Sequence, residues 1–193
     1  MTYDLTKVHE ANLKILKEID RICRKYKIQY MLDAGTLLGA IRHQGFIPWD
    51  DDADIAFTRP NYEAFLKVVK RELPEGLSFM DCSNLRGGKA FYDFTSRIIY
   101  ENSRTDEDTP MMQYYEGKLN HLWVDLFVID ELPAHKLAST WTLLLHKVIY
   151  GFSMGHRFQL DYSKYGLPHK AAVGSLAAIG RLIPMKALFK MQN

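Results

Sequence analysis

Apolar residues recur at three- and four-residue steps from the start of the chain, at Leu5, Val8, Ile15, Ile19, Ile22 and Tyr26, with lysines and acids between them. That period is helical, so residues 4–25 are predicted to form an amphipathic helix whose apolar stripe packs on a core. The pattern then changes to alternation over Gln29-Tyr30-Met31-Leu32-Asp33, a predicted strand, which runs through a Gly35-Thr36 turn into a brief helix over residues 37–42. Gly45-Phe46-Ile47-Pro48 is turn material, and Trp49-Asp50-Asp51-Asp52-Ala53-Asp54 leads from it into a strand at Ile55-Ala56-Phe57. Thr58 as a cap and Pro60 in the first turn predict a helix running through Val68, Val69 and Leu73. Further strands are expected over residues 77–82, 90–100 and 122–129, with a polar loop over 101–109. After Pro133 the texture becomes helical, over 137–150 and 171–182, separated by a stretch containing Gly, Tyr and His. The succession predicts an α/β (α+β) fold, with a core over residues 1–133 and a helical C-terminal segment over 134–193.

Composition changes this picture little. At roughly 150 residues per domain, 193 residues make one domain with an appended helical piece. With 47% hydrophobic and 25% charged residues the chain is an ordinary globular one, which excludes disorder, collagen and coiled coil. Twenty-five basic against 23 acidic residues give +2, too weak a field to argue for nucleic acid, so recognition of a charged partner must be local. Two cysteines, Cys23 and Cys82, do not make a disulfide-built secreted scaffold. The N-terminus lacks the pattern of a signal peptide, and no apolar run approaches the ~18 residues of a membrane span. These readings predict a cytoplasmic protein. Three places stay open to the apolar helices 137–150 and 171–183: the core, a partner, or the periphery of a membrane at its inner face.

Charge is distributed unevenly, and that matters more. Four acids fall within residues 50–54, where like charges repel unless a cation neutralises them. Apolar residues bracket the run, so its last acids sit where a strand meets a cleft. On extended backbone Asp52 and Asp54 project from one face and can share a hard cation, which takes carboxylate, phosphate and water oxygens. An EF-hand does not fit, because its sixth and twelfth positions would be Ile55 and Asn61. Asp125 is the single acid in the apolar run 122–129 and needs a partner, either an arginine or the same metal as a third ligand.

Gly35-Thr36 before a helix offers N–H groups and a hydroxyl to a phosphate, although neither a Walker A loop nor G-x-G-x-x-G is present. Arg42 and Arg97 are each open to phosphate contact or to pairing with an aspartate. His43 is read as incidental, with a general-base role as the rarer option. Cys23, Cys82, His146 and His156 are read as structural, and Trp49, Tyr92, Tyr114 and Tyr115 as candidates for gripping a quaternary ammonium.

The stretch Leu32-Asp33-Ala34-Gly35-Thr36-Leu37-Leu38-Gly39-Ala40-Ile41-Arg42-His43-Gln44-Gly45-Phe46-Ile47-Pro48-Trp49-Asp50-Asp51-Asp52-Ala53-Asp54-Ile55 closely resembles the signature of the LicD family, and Trp123-Val124-Asp125-Leu126-Phe127 resembles its second acidic strand. The resemblance implies a nucleotidyltransferase-like mixed sheet. It also implies transfer of a phospho-alcohol, typically phosphocholine, from a CDP-activated donor such as CDP-choline to a cell-surface glycan acceptor. Carried over, Asp52, Asp54 and Asp125 match the metal-binding acids, for magnesium or manganese, and Gly35-Thr36 matches the turn holding donor phosphate. The family's C-terminal Tyr-Gly-Asp-Tyr-like element has no counterpart, Tyr165-Gly166-Leu167-Pro168 being a faint echo. On this reading an acceptor hydroxyl attacks in line, Arg42 or Arg97 and Trp49 contact substrate, and Asp50, Asp51 or no residue serves as base. The rivals are nucleotidyl transfer to a small phosphorylated substrate and a non-catalytic metal- or nucleotide-binding module.

Overall fold

The computed structural model describes residues 4–104, 108–163 and 166–192. They form two units, the first from residues 1–80, 95–109 and 117–130, the second from 81–94, 110–116 and 131–193.

The first unit is built on a five-stranded mixed sheet: β1 (Met31–Leu32), β2 (Asp54–Thr58), β3 (Leu77–Met80), β4 (Ser96–Tyr100) and β5 (Leu122–Ile129), in the order β1-β2-β5-β4-β3. β2 and β5 run parallel, and every other pair is antiparallel. Helix α1 (Thr6–Tyr26) lies on one face, with Ile15, Ile19 and Ile22 fully buried against Ile55, Phe57, Ile98, Val124 and Leu126. Successive strand residues point to opposite faces, so this core takes the even positions of β5 and leaves Trp123 and Asp125 on the other side.

The helix expected at residue 37 starts earlier, as α2 (Ala34–Arg42). Asp33 caps it, its Oδ1 accepting from the Ala34 N–H at 2.9 Å, so Gly35 and Thr36 form the first helical turn rather than a loop. Thr58 does stand at the N-cap of α3 (Arg59–Leu66), but its hydroxyl accepts from the Asn61 side chain and caps nothing. The helix expected to continue through Leu73 breaks at Lys67-Val68 and resumes as α4 (Val69–Glu72), where two adjacent β-branched valines disfavour an unbroken helix.

Of the strand expected over 90–100 only residues 96–100 enter the sheet. Ala90 and Phe91 are buried instead in the second unit, where the Phe91 N–H donates to the His156 carbonyl. That unit comprises α5 (Pro110–Tyr114), α6 (Lys136–Ser153), α7 (Leu167–Gly180) and α8 (Met185–Gln192), with Cys82, Phe91, Ile149, Met185 and Leu188 at its centre. α7 starts before residue 171 because Pro168 suits its first turn. Gly180 lets α7 approach α6, since a Cβ there would lie 1.9 Å from the Phe152 carbonyl oxygen. Among the described residues, no single helix is long and apolar enough to cross a membrane.

Candidate functional site

Parallel pairing of β2 with β5 sets Asp54 opposite Asp125, and antiparallel pairing of β5 with β4 sets Asp125 opposite Arg97. Residues opposed in register share a sheet face, so Asp54, Asp125 and Arg97 form a row across three strands. Ahead of β2, Asp50, Asp51 and Asp52 bring carboxylate oxygens within 4.8 Å of one another. Asp51, Asp52 and Asp125 line a cavity of about 330 Å³ with Leu119, His121, Leu122 and Trp123.

Several contacts fix the acidic loop. His9 and Asn12 on α1 reach it, with His9 Nε2 2.7 Å from the Asp50 carbonyl and Asn12 Nδ2 donating to the Asp51 carbonyl at 3.2 Å. The His9 ring stacks on Phe46 at 4.9 Å between centroids. Gly39 of α2 touches the backbone of residues 45–47. Gly35 leaves space for the Asp50 carboxylate, which a Cβ there would meet at 2.2 Å. The Asp54 N–H donates to the Thr36 hydroxyl at 2.8 Å, and the Asp33 N–H donates to the Asp54 carbonyl at 3.0 Å. Ala34, between Asp33 and Gly35, has φ 42°, left-handed backbone that carries strain in a residue other than glycine.

Of the two roles open to Arg97, the structure shows pairing with an aspartate. Its Nε lies 2.8 Å from Asp125 Oδ1 and its guanidinium 5.1 Å from the Trp123 ring centre, while the Trp123 indole N–H donates to Asp125 Oδ2 at 3.2 Å. Arg97 is 5% exposed. Arg42 and Trp49 are exposed, Trp49 at 77%, with the His43 ring edge-on to Trp49 at 5.9 Å.

The acids crowd like charge, so the cluster could hold a cation. Burial first, then repulsion from Asp52, Asp125, Asp33 and Asp50, pushes the Asp54 carboxyl up to about 6. Burial and its neighbours Asp50, Asp51 and Asp125 raise Asp52. Arg97 offsets part of this negative charge. Donors that are all carboxylate oxygens fit a hard divalent ion such as magnesium or manganese and not a soft one.

His121, Asp33, His9 and Asn12 carry no signal in the sequence pattern. His121 lines the acid cavity, and its Nδ1 hydrogen-bonds the Ser103 carbonyl, which can only accept. Cys23 and Cys82 are buried and free, with both thiols raised by burial, and His156 holds the carbonyls of Gly180 and Ile183, so all three are structural. Tyr165 lies outside the described residues.

The sheet brings acids into register on adjacent parallel strands, beside a helix whose first turn holds Gly35 and Thr36. Residues 27–165 match the family model described as LicD/FKTN/FKRP, nucleotidyltransferase domain, and the chain belongs to the LicD family. It is 30% identical over 145 residues to the lipopolysaccharide cholinephosphotransferase LicD of Haemophilus influenzae, covering 75% of this chain and 48% of that protein. It is 50% identical over 116 residues to an uncharacterized protein of Rickettsia prowazekii, covering 55% of this chain and 42% of the other. To the ribitol 5-phosphate transferase FKRP of Homo sapiens it is 33% identical over 114 residues, covering 59% and 19%. The chain thus spans less than half the length of these relatives.

Proposed function

We propose that the chain carries the catalytic part of a phosphotransferase that moves a phospho-alcohol, phosphocholine foremost, from a CDP-activated donor to a hydroxyl of a cell-surface glycan. The observation that carries this reading is the in-register pair Asp54 and Asp125 beside Asp52, in a chain similar to a cholinephosphotransferase and a ribitol 5-phosphate transferase. Asp52, Asp54 and Asp125 would hold a magnesium or manganese ion, which when bound polarises the attacked phosphorus and stabilises the charge leaving on CMP.

The protein's own groups do the positioning, which is most of the catalysis in phosphoryl transfer. Arg97 and the Trp123 indole hold the Asp125 carboxylate from two sides. Thr36 pins the Asp54 backbone with its oxygen and retains a hydroxyl proton to donate to a donor phosphate. Trp49 offers an exposed aromatic face, and Arg42 an exposed cation, to the nucleotide or the alcohol. His121, which lines the same cavity, joins Asp50 and Asp51 as a group able to take the proton of the attacking hydroxyl. We set the reaction in the cytoplasm, at the inner face of the membrane; the two free, buried thiols are in keeping with a reducing compartment.

Product analysis tests the reading. With magnesium, CDP-choline and a glycan acceptor, the protein is expected to release CMP, and Asp52→Asn and Asp54→Asn to reduce release at least ~100-fold while circular dichroism stays native. Unchanged turnover in both variants would sink the assignment. Pyrophosphate as product would mean nucleotidyl transfer, and donor binding without turnover on any acceptor a binding module.

A further inference from the structure

The second unit presents a surface that the transfer reaction does not use. Along α6, Leu137, Trp141, Leu144 and Leu145 fall at i, i+4, i+7 and i+8, one stripe of a helix. All are exposed, Leu137 at 66%, Trp141 at 69% and Leu145 at 53%. No residue from 136 to 148 is buried, whereas Ile149, Gly151 and Ser153 anchor the last turn. A contiguous apolar face of this kind marks a protein partner or a membrane.

Charge decides between them. Residues 131–193 hold eight lysines and arginines against two acids, Glu131 and Asp161, a balance of +6, while the first 130 residues hold seventeen against twenty-one, a balance of −4. The near-neutral total conceals this division. α6 itself carries exposed Lys136 and Lys147 and no acid. Self-association through the stripe would bring Lys136 and Lys147 of two copies together with no carboxylate on α6 to pair them. An anionic lipid surface supplies both the apolar phase and the counter-charge, and tryptophan with leucine between lysines is the composition of helices that lie in a membrane interface.

We propose that α6 docks the second unit on an anionic bilayer, with Trp141 and the flanking leucines entering the boundary between headgroups and acyl chains and Lys136 and Lys147 meeting lipid phosphates. The helix lies on the membrane rather than spanning it, as its 18 residues are too polar for a span.

Co-sedimentation with vesicles tests this without any donor or acceptor, so its outcome is separate from that of the transfer reaction. The protein is expected to bind vesicles containing phosphatidylglycerol, and pure phosphatidylcholine far more weakly, with binding that weakens as salt rises. Leu137→Ser/Trp141→Ser/Leu145→Ser should lower binding on the order of tenfold or more. The milder Lys136→Gln/Lys147→Gln variant, which removes no packed group, should flatten the salt dependence. Failure to bind either vesicle, or binding by the triple variant equal to the parent's, would overturn the proposal. So would a concentration-dependent dimer that the triple variant abolishes in the absence of vesicle binding, which would assign the face to a second copy.

Discussion

Asp54 is 8% exposed and faces other carboxylates, so its environment opposes the charge it should carry at neutral pH. Its carboxyl is raised to about 6 in the fold against about 3.9 in an unfolded chain. Between those values the folded state keeps a proton that the unfolded state has lost, so the contribution is fully favourable below about pH 4 and is lost as pH rises through 6. At roughly 1.4 kcal/mol per pH unit this costs about 3 kcal/mol at pH 7 as an upper bound. Without divalent ions, Asp54→Asn is therefore expected to be more stable than the parent by about 1–3 kcal/mol at pH 7.5, and no more stable at pH 4. Thermal melts in chelator across this range check it; a variant less stable than the parent at pH 7.5 contradicts it. At this scale much of the site is legible in the sequence, because four acids in five positions and a lone acid in an apolar strand are each anomalous in themselves. Arg97 stayed undecided until strand register put it opposite Asp125. His9 and Asn12 were invisible because they act on backbone carbonyls 41 and 39 residues away, and backbone groups leave no trace in a sequence pattern.

Helix α2 and the loop after it work as one element. A Cβ at Gly39 would lie 2.6 Å from the Gly45 carbonyl oxygen and 3.0 Å from the Ile47 N, both backbone atoms that yield only if the loop moves. Gly39→Ala is therefore expected to cost about 1–3 kcal/mol and to displace the loop that positions Asp50 to Asp52, weakening divalent-ion binding measured by calorimetry. Parent-like ion affinity in a folded Gly39→Ala protein would show that the acids do not depend on this contact. Elements with a strong signal are legible: α1 follows its helical period, and β2 and β5 are dense apolar runs bordered or interrupted by acids. Residues 90–95 are not, because a short apolar run is equally consistent with a strand and with a buried irregular segment. Here Phe91 goes to an aromatic cluster with Phe94 and Tyr150 instead of a sheet.

The whole molecule divides unevenly in charge and role, with acids gathered in the sheet unit and basic, apolar helices in the second unit. That segments 81–94 and 110–116 pack with the C-terminal helices could not be read along the chain, since nothing local marks a crossing between units. The central proposal is that the acidic site binds a CDP-alcohol together with a divalent ion. Thermal shift with magnesium and, in turn, CDP-choline, CDP-ribitol, CDP-glycerol and CTP tests it most directly. At a hundredfold excess over Kd a bound donor contributes about 2.7 kcal/mol, and each kcal/mol moves the Tm of a chain this size by roughly 2–4 °C. The parent should gain about 5–10 °C with one CDP-alcohol plus magnesium and little with either alone, and Asp54→Asn should gain almost nothing. A shift of equal size in parent and Asp54→Asn, or no shift with any of the four nucleotides, would contradict the account.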